Sequence, residues 1–352
     1  MALLVAAPLL LEGCTSVPKA QEFTRTTALL RDPSGTGSAV DGRARFRQIF
    51  CQVAQADGAV SADDPDCAGI LWRLAEEPTA AYSPLPRIRG DLRLVIVTGA
   101  LSDCFGDAAL PFRFGAERLR GQGVRVDYVR VSGRSSAEHN ARQIADFFTA
   151  AEIPPSERIV MLGYSKGAVD IQQFLNDFPE LSRGVVAMVS VGGPLWGTPL
   201  ANRGDWLNRH LFAHLYTDRC PPGDSGLIHS LQPDVRAQWL STHPLPSSVH
   251  VYSLAAFTTS PHLARGLRAT WSRLAEYDTR NDGQVLIGDT VLAGSDLLGY
   301  VNSDHWGAAI TIENELPYFA GRKSPRQIPQ SQLLQAIWLY VGESLAETPP
   351  RP

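Results

Sequence analysis

The chain offers no apolar run near its start that could cross a bilayer: Ala2 to Leu11 falls short of the roughly 20 residues a spanning helix needs. It also lacks an excess of either charge. Its 32 basic residues face 36 acidic ones, for a formal net charge of -4 with no long block of one sign. That balance argues against an electrostatic grip on nucleic acid. No C-x-x-C pair occurs, so zinc and thioredoxin-like sites have no support. No H-E-x-x-H occurs either; His210 and His214, four residues apart, read as structural histidines rather than a metal pair. Calcium has no identifiable ligand set, and no metal or cofactor is expected. Internal repeats and low-complexity tracts are absent, which sets repeat architectures aside.

What remains is the profile of a folded protein, 44% hydrophobic and 19% charged over 352 residues, enough for one large domain or two small ones. The run Ala2–Leu11 suits a signal-peptide core. Leu11-Glu12-Gly13-Cys14 after it resembles the lipobox of bacterial lipoproteins, although Glu12 stands where that family has a small or apolar residue. The resemblance implies lipidation at Cys14, export, and attachment to a membrane of the bacterial cell envelope. Cys14 apart, Cys51, Cys67, Cys104 and Cys220 allow three disulfide pairings. Cys51 with Cys67 and Cys104 with Cys220 is preferred, because the first pair closes a short local loop. An exported protein would keep such bridges.

Residues 1–14 are thus expected to form a leader. Residues 15–90 should form a linker, Gly/Ser-rich from Asp32 to Asp41, and two helices at Arg43–Ala56 and Cys67–Glu76. From about residue 91 to 352 the pattern becomes regular. β-rich runs at Leu92–Val97, Val124–Val131, Arg158–Leu162 and Val185–Val191 alternate with helical stretches at Ala109–Gln122, Ala137–Ala151 and Lys166–Asp177. Later strands are expected at Val249–Leu254 and Leu297–Val301, and a closing amphipathic helix at Gln327–Leu345. This alternation predicts an α/β fold: a mostly parallel central sheet with helices on both faces. The stretch of about 200–245 breaks the rhythm and reads as an inserted helical cap. Its apolar residues, with Trp196, Trp206, Leu207, Leu211, Phe212 and Trp239 foremost, would line an acyl site or form the cap's own core.

Gly163-Tyr164-Ser165-Lys166-Gly167 is a G-x-S-x-G motif. It follows the branched run Ile159–Leu162 and opens the helix at Lys166, the strand-to-helix context that holds a nucleophilic Ser on a sharp turn. A Ser hydroxyl needs a base. Of eight histidines, His305 in Asn302-Ser303-Asp304-His305-Trp306-Gly307 lies in a loop after the last strand run, where it can hang over the sheet. A carboxylate between Ser165 and His305 should orient the imidazole. Asp282, at the tip of the Asn281-Asp282-Gly283 turn, is favoured over Asp278.

With the order Ser, Asp, His in place, the segment from about Leu92 to Ala309 resembles the lipase/esterase branch of the α/β-hydrolases. Gly193-Pro194-Leu195-Trp196-Gly197-Thr198-Pro199-Leu200-Ala201 is similar to the P-x-x-G-[ST]-P-L-A segment of bacterial lipases. The resemblance implies the α/β-hydrolase fold and a serine hydrolase acting on esters of small molecules or lipids. It implies an oxyanion hole from the amides of Lys166 and Ala100. Such lipases carry His-Gly where this chain has Thr98-Gly99, so the hydrogen bonds supporting that loop must differ. An amidase, thioesterase or transacylase would use the same residues, and a non-catalytic envelope lipoprotein on this scaffold is the reading from another class.

Overall fold

The computed structural model describes residues 39–64, 66–74, 77–151, 153–154, 156–203, 221–311 and 328–347. Seven strands form one sheet: β1 (Val40–Asp41), β2 (Leu92–Val97), β3 (Arg125–Val129), β4 (Arg158–Tyr164), β5 (Val185–Val191), β6 (His250–Phe257) and β7 (Asp296–Asn302). Their order is β1-β7-β6-β5-β4-β2-β3, and every neighbouring pair is parallel. Parallel strands need crossovers, and the helices between them lie there: α1 (Arg43–Ala56), α2 (Ser102–Phe105), α3 (Arg113–Gly121), α4 (Ala137–Ala150), α5 (Lys166–Asp177), α6 (Leu227–Ser230), α7 (Pro233–Thr242) and α8 (Arg268–Leu274); α9 (Gln330–Glu347) follows the last strand. This is the doubly covered sheet that the alternation of runs predicts.

Pleating divides the core. Leu92, Leu94, Ile96, Val160 and Leu162 point to one face, where Phe46 and Phe50 of α1, Leu119 of α3 and Trp338 of α9 cover them. Val95, Val97, Ile159 and Met161 point to the other, against Ile144 and Phe148 of α4 and Ile171 and Phe174 of α5. Strands buried on both faces read as continuous apolar runs, which is why their positions were plain in the sequence. The closing helix α9 is buried almost all round rather than along one stripe: Leu333, Leu334, Ala336 to Val341 and Leu345 are all inside.

The N-terminal part departs from expectation at two places. Val40–Asp41, read as linker, pairs with Asp296–Leu297 as an edge strand. No helix forms over the described residues of Cys67–Glu76. That segment is a strap, joined to β7 by an antiparallel bridge between Leu71 and Val301. Arg47 of α1 organises it, donating to the carbonyls of Asp66, Leu71 and Trp72 and pairing with the buried Glu77 carboxylate at 2.5 Å. A helix would enclose those carbonyls in its own ladder. The disulfide Cys51–Cys67 ties the strap to α1, and Cys104 is also disulfide-bonded. Its expected partner Cys220 lies outside the described residues, as do Cys14 and the leader. Of the expected cap, Pro199–Arg203, α6 and α7 are described; Trp206, Leu207, His210, Leu211, Phe212 and His214 lie outside. No described helix is long and apolar enough to cross a membrane.

Candidate active site

Where β4 ends, the chain reverses into α5 with Ser165 at the turn, φ +54° and ψ -129°. That conformation is strained for a residue with a Cβ and persists only where neighbours enforce it. Two glycines allow it. A Cβ on Gly163 would lie 2.4 Å from the Ala168 Cα, and one on Gly167 would lie 2.6 Å from the carbonyl oxygens of Val97 and Thr98. Strand β2 and helix α5 therefore press against the turn from both sides. Lys166 and Gly167 open α5, so their amides have no intrahelical acceptor and point toward the serine end.

His305 arrives from the loop after β7. Its Nε2 lies 2.8 Å from the Ser165 Oγ, and its Nδ1 lies 2.7 Å from the Asp282 Oδ2. His305 is 5% exposed and Asp282 1%. The second carboxylate oxygen of Asp282 accepts the amides of Gln284 (2.8 Å) and Val285 (2.7 Å), an arrangement that fixes the orientation of the carboxylate. The His305 amide donates to the Asp282 carbonyl at 2.8 Å, so backbone and side chain hold the two residues together. Asp278 does not enter this chain; it pairs with Arg280 at 2.7 Å. The structure thus brings together Ser165, His305 and Asp282, in that connectivity.

The His305 loop is braced by residues the sequence reading passed over. Asp304, buried beside it, accepts the amides of Ala264 (2.6 Å) and Gly307 (2.8 Å), and burial raises its pKa to about 6. Tyr164, next to Ser165, donates its hydroxyl to the His305 carbonyl at 2.8 Å, and burial pushes that phenol well above its ordinary pKa. Gly192 lies against the pair at φ +56°, a left-handed conformation that favours glycine. The Thr198 hydroxyl donates to the Gln284 carbonyl at 2.7 Å, so the lipase-like Gly193–Ala201 segment supports the acid turn. Trp196 donates to the Val291 carbonyl and belongs to the same buried cluster as Leu195 and Met188.

The loop after β2 lies against the serine. A Cβ on Gly99 would come within 3.1 Å of the Ser165 Cβ, which puts Ala100, next in the chain, near Ser165. The Leu101 amide is committed to the Gly133 carbonyl at 3.1 Å. Thr98 replaces the supporting role of a histidine. Fully buried, its hydroxyl oxygen accepts from the Ser102 hydroxyl (2.8 Å) and from the Val131 amide (3.3 Å), tying the loop to the end of β3. A cavity of about 500 Å³ borders this loop, lined by Thr98, Ser102, Asp103, Arg130, His139 and Gln143 among others. The Lys166 ammonium is turned away from a Ser-Lys arrangement: it is buried and paired with Asp170 one turn along α5. Among the described residues, no group of three or more His, Cys, Asp or Glu is placed to hold a metal ion.

No family model matches the chain, and no curated protein matches it by sequence. Solved structures do match. The metagenomic carboxyl esterase MGS0156 is 33% identical, with 92% of this chain and 98% of that one covered at a TM-score of 0.78. EstA from Clostridium botulinum (12% identity, 75% and 92% covered) and lipase 1 from Pelosinus fermentans (12%, 74% and 99%) share the fold, each with a TM-score of 0.51. With the sheet, the strained turn and the similarity to MGS0156 taken together, the chain belongs to the α/β-hydrolase superfamily, with a carboxyl esterase as its relative.

Proposed function

We propose that this protein is a serine hydrolase that cleaves carboxylic esters through a Ser165-His305-Asp282 triad. The observation that carries the reading is the unbroken hydrogen-bond chain from the Ser165 Oγ through both imidazole nitrogens to the Asp282 carboxylate. The similarity to a carboxyl esterase over nearly the whole chain supports the same reaction class.

The chemistry follows from the positions. As the Ser165 Oγ bonds to the ester carbonyl carbon, its proton passes to the His305 Nε2, and Asp282 stabilises the imidazolium through Nδ1–H. The carbonyl π electrons move onto oxygen, where the amides of Lys166 and Ala100 receive the alkoxide at the start of α5. Collapse of the tetrahedral intermediate expels the alcohol, which takes the proton from Nε2. Water then attacks the acyl-serine with His305 again as base, and release of the acid restores the free hydroxyl.

Lipidation of Cys14 would tether the enzyme to an envelope membrane, with lipid or small esters as substrates. A panel of p-nitrophenyl esters from acetate to palmitate tests the activity. Turnover by the wild type that Ser165→Ala abolishes supports the reading; equal rates for the two would overturn it. Detergent phase partition of wild type and Cys14→Ser expressed in a bacterial host tests the anchor, which is refuted if both partition alike.

A further inference from the structure

Behind the nucleophile lies a buried charged cluster that the triad does not use. Lys166, 1% exposed, pairs through its ammonium with Asp170, which is fully enclosed. Asn140 of α4 donates to the other Asp170 oxygen at 2.8 Å and to the Ser132 carbonyl at 3.0 Å. Arg236 reaches in from α7, 2% exposed, donating to the Gln172 amide oxygen at 2.5 Å and to the Leu195 carbonyl at 3.1 Å while stacking on Trp239. Its charge is felt at Asp170. Burial lowers the Arg236 pKa to about 10, which leaves it charged at neutral pH.

Stability does not explain such a cluster, since replacing buried ion pairs with apolar groups of similar volume is often neutral or stabilising. The charge balance does suggest a role. Within the buried cluster two cations, Lys166 and Arg236, meet one anion, Asp170, so one positive charge is left over; the other carboxylate that acts on Arg236, Glu138, is exposed and screened by solvent. Lys166 follows Ser165 directly, so the length of its side chain keeps the ammonium within about 10 Å of the serine Cα. A fixed cation in a water-excluded site strengthens the pull of the α5 N-terminus on developing negative charge.

We propose that the Lys166–Asp170–Arg236 cluster is an electrostatic positioning device, holding one net positive charge behind the oxyanion site of the proposed triad. It rests on the reading of Ser165 as nucleophile. These side chains act through the field and through the placement of the Lys166 amide, without touching substrate.

The same field acts on His305, which is otherwise faced by Asp282, Asp304 and Tyr164, while Asn140, Gln172 and, from α4, Glu138 face the cluster. Removing a nearby cation makes imidazolium easier to form, so the acid limb of the kcat/KM profile moves to higher pH; removing the anion moves it lower. The test compares Lys166→Met (net charge zero), Asp170→Asn (net two positive) and the double variant (net one positive, as in wild type) with p-nitrophenyl butyrate, each checked for folding by Tm. Expected are a shift of about half a pH unit upward for Lys166→Met with kcat down about tenfold, a downward shift for Asp170→Asn, and a return to the wild-type limb in the double variant. KM should stay within about twofold. Single variants that shift the limb in the same direction, or a double variant displaced from wild type, overturn the proposal. If Lys166→Met fails to fold, Arg236→Met makes the same charge change from α7 and must give the same upward shift. A wild type with no turnover beyond Ser165→Ala refutes the triad instead, so the two failures are distinguishable.

Discussion

Exchanging Asp282 for Asn probes the triad at its most constrained member. In the structure one Asp282 oxygen accepts two amides, from Gln284 and Val285, and the other accepts from the His305 Nδ1. An Asn side chain has one acceptor and one donor for these places. Two amides at 2.8 and 2.7 Å outvote one imidazole, so the amide oxygen stays on the turn and the NH2 faces Nδ1. Nδ1 must then accept, and the imidazole proton moves to Nε2. There it points at the Ser165 Oγ and blocks the transfer on which attack depends. The expected loss in kcat is about 10⁴-fold, or ~5.5 kcal/mol of barrier. The fold should hardly change, because both backbone hydrogen bonds survive. Initial rates with p-nitrophenyl butyrate from pH 6 to 9, with Tm as the folding control, provide the assay. Asp278→Asn, which only weakens a pair with Arg280, should keep kcat within about threefold. The reasoning is refuted if Asp282→Asn retains more than about a tenth of wild-type kcat, or if Asp278→Asn proves the inactive variant.

Two further predictions concern the supports. Thr98→Val keeps the side-chain shape but deprives the Ser102 hydroxyl and the Val131 amide of their acceptor. It should cost about 1–3 kcal/mol of stability in urea unfolding and lower kcat more than KM, and an unchanged unfolding midpoint would contradict this. For Asp304, burial raises the folded-state pKa from 3.8 to about 6. A raised pKa means that the folded protein holds the proton more tightly than the unfolded chain. This group's stabilisation is therefore complete below pH 3.8 and lost as pH rises through about 6, on the order of 3 kcal/mol. The Tm difference between wild type and Asp304→Asn should accordingly become less favourable to wild type from pH 4.5 to 7, whereas a constant difference would show that Asp304 does not titrate in this range.

What the sequence made legible is what local pattern encodes. Strands buried on both faces leave unbroken runs such as Leu92–Val97, and a strained serine between a strand and a helix demands Gly163 and Gly167, so every strand but β1 could be placed to within a few residues and the turn at Ser165 to the residue. The Asn281-Asp282-Gly283 turn carried its own signal, with the Asn281 side chain accepting from the Gly283 amide at 3.0 Å. The misread places depend on partners far along the chain. Cys67–Glu76 has a helical look, yet Arg47 gathers its carbonyls into a strap. Val40–Asp41 becomes a strand only because β7 offers an edge. The role of Thr98 follows from Ser102 and Val131, 4 and 33 residues away. The buried company of Lys166 is assembled by Asn140 and Arg236 from separate elements, where no linear motif records it. Asp304 had the nearest available clue, its place beside His305 in a loop that something must anchor.

The central claim, a serine hydroxyl activated by His305 at the end of β4, is tested most directly by reacting the purified protein with a fluorophosphonate and locating the adduct by peptide mass spectrometry. The account predicts one adduct per chain, on Ser165, with labelling abolished in Ser165→Ala and strongly slowed in His305→Ala. An adduct on another residue, or labelling that proceeds equally fast without the His305 imidazole, would contradict it.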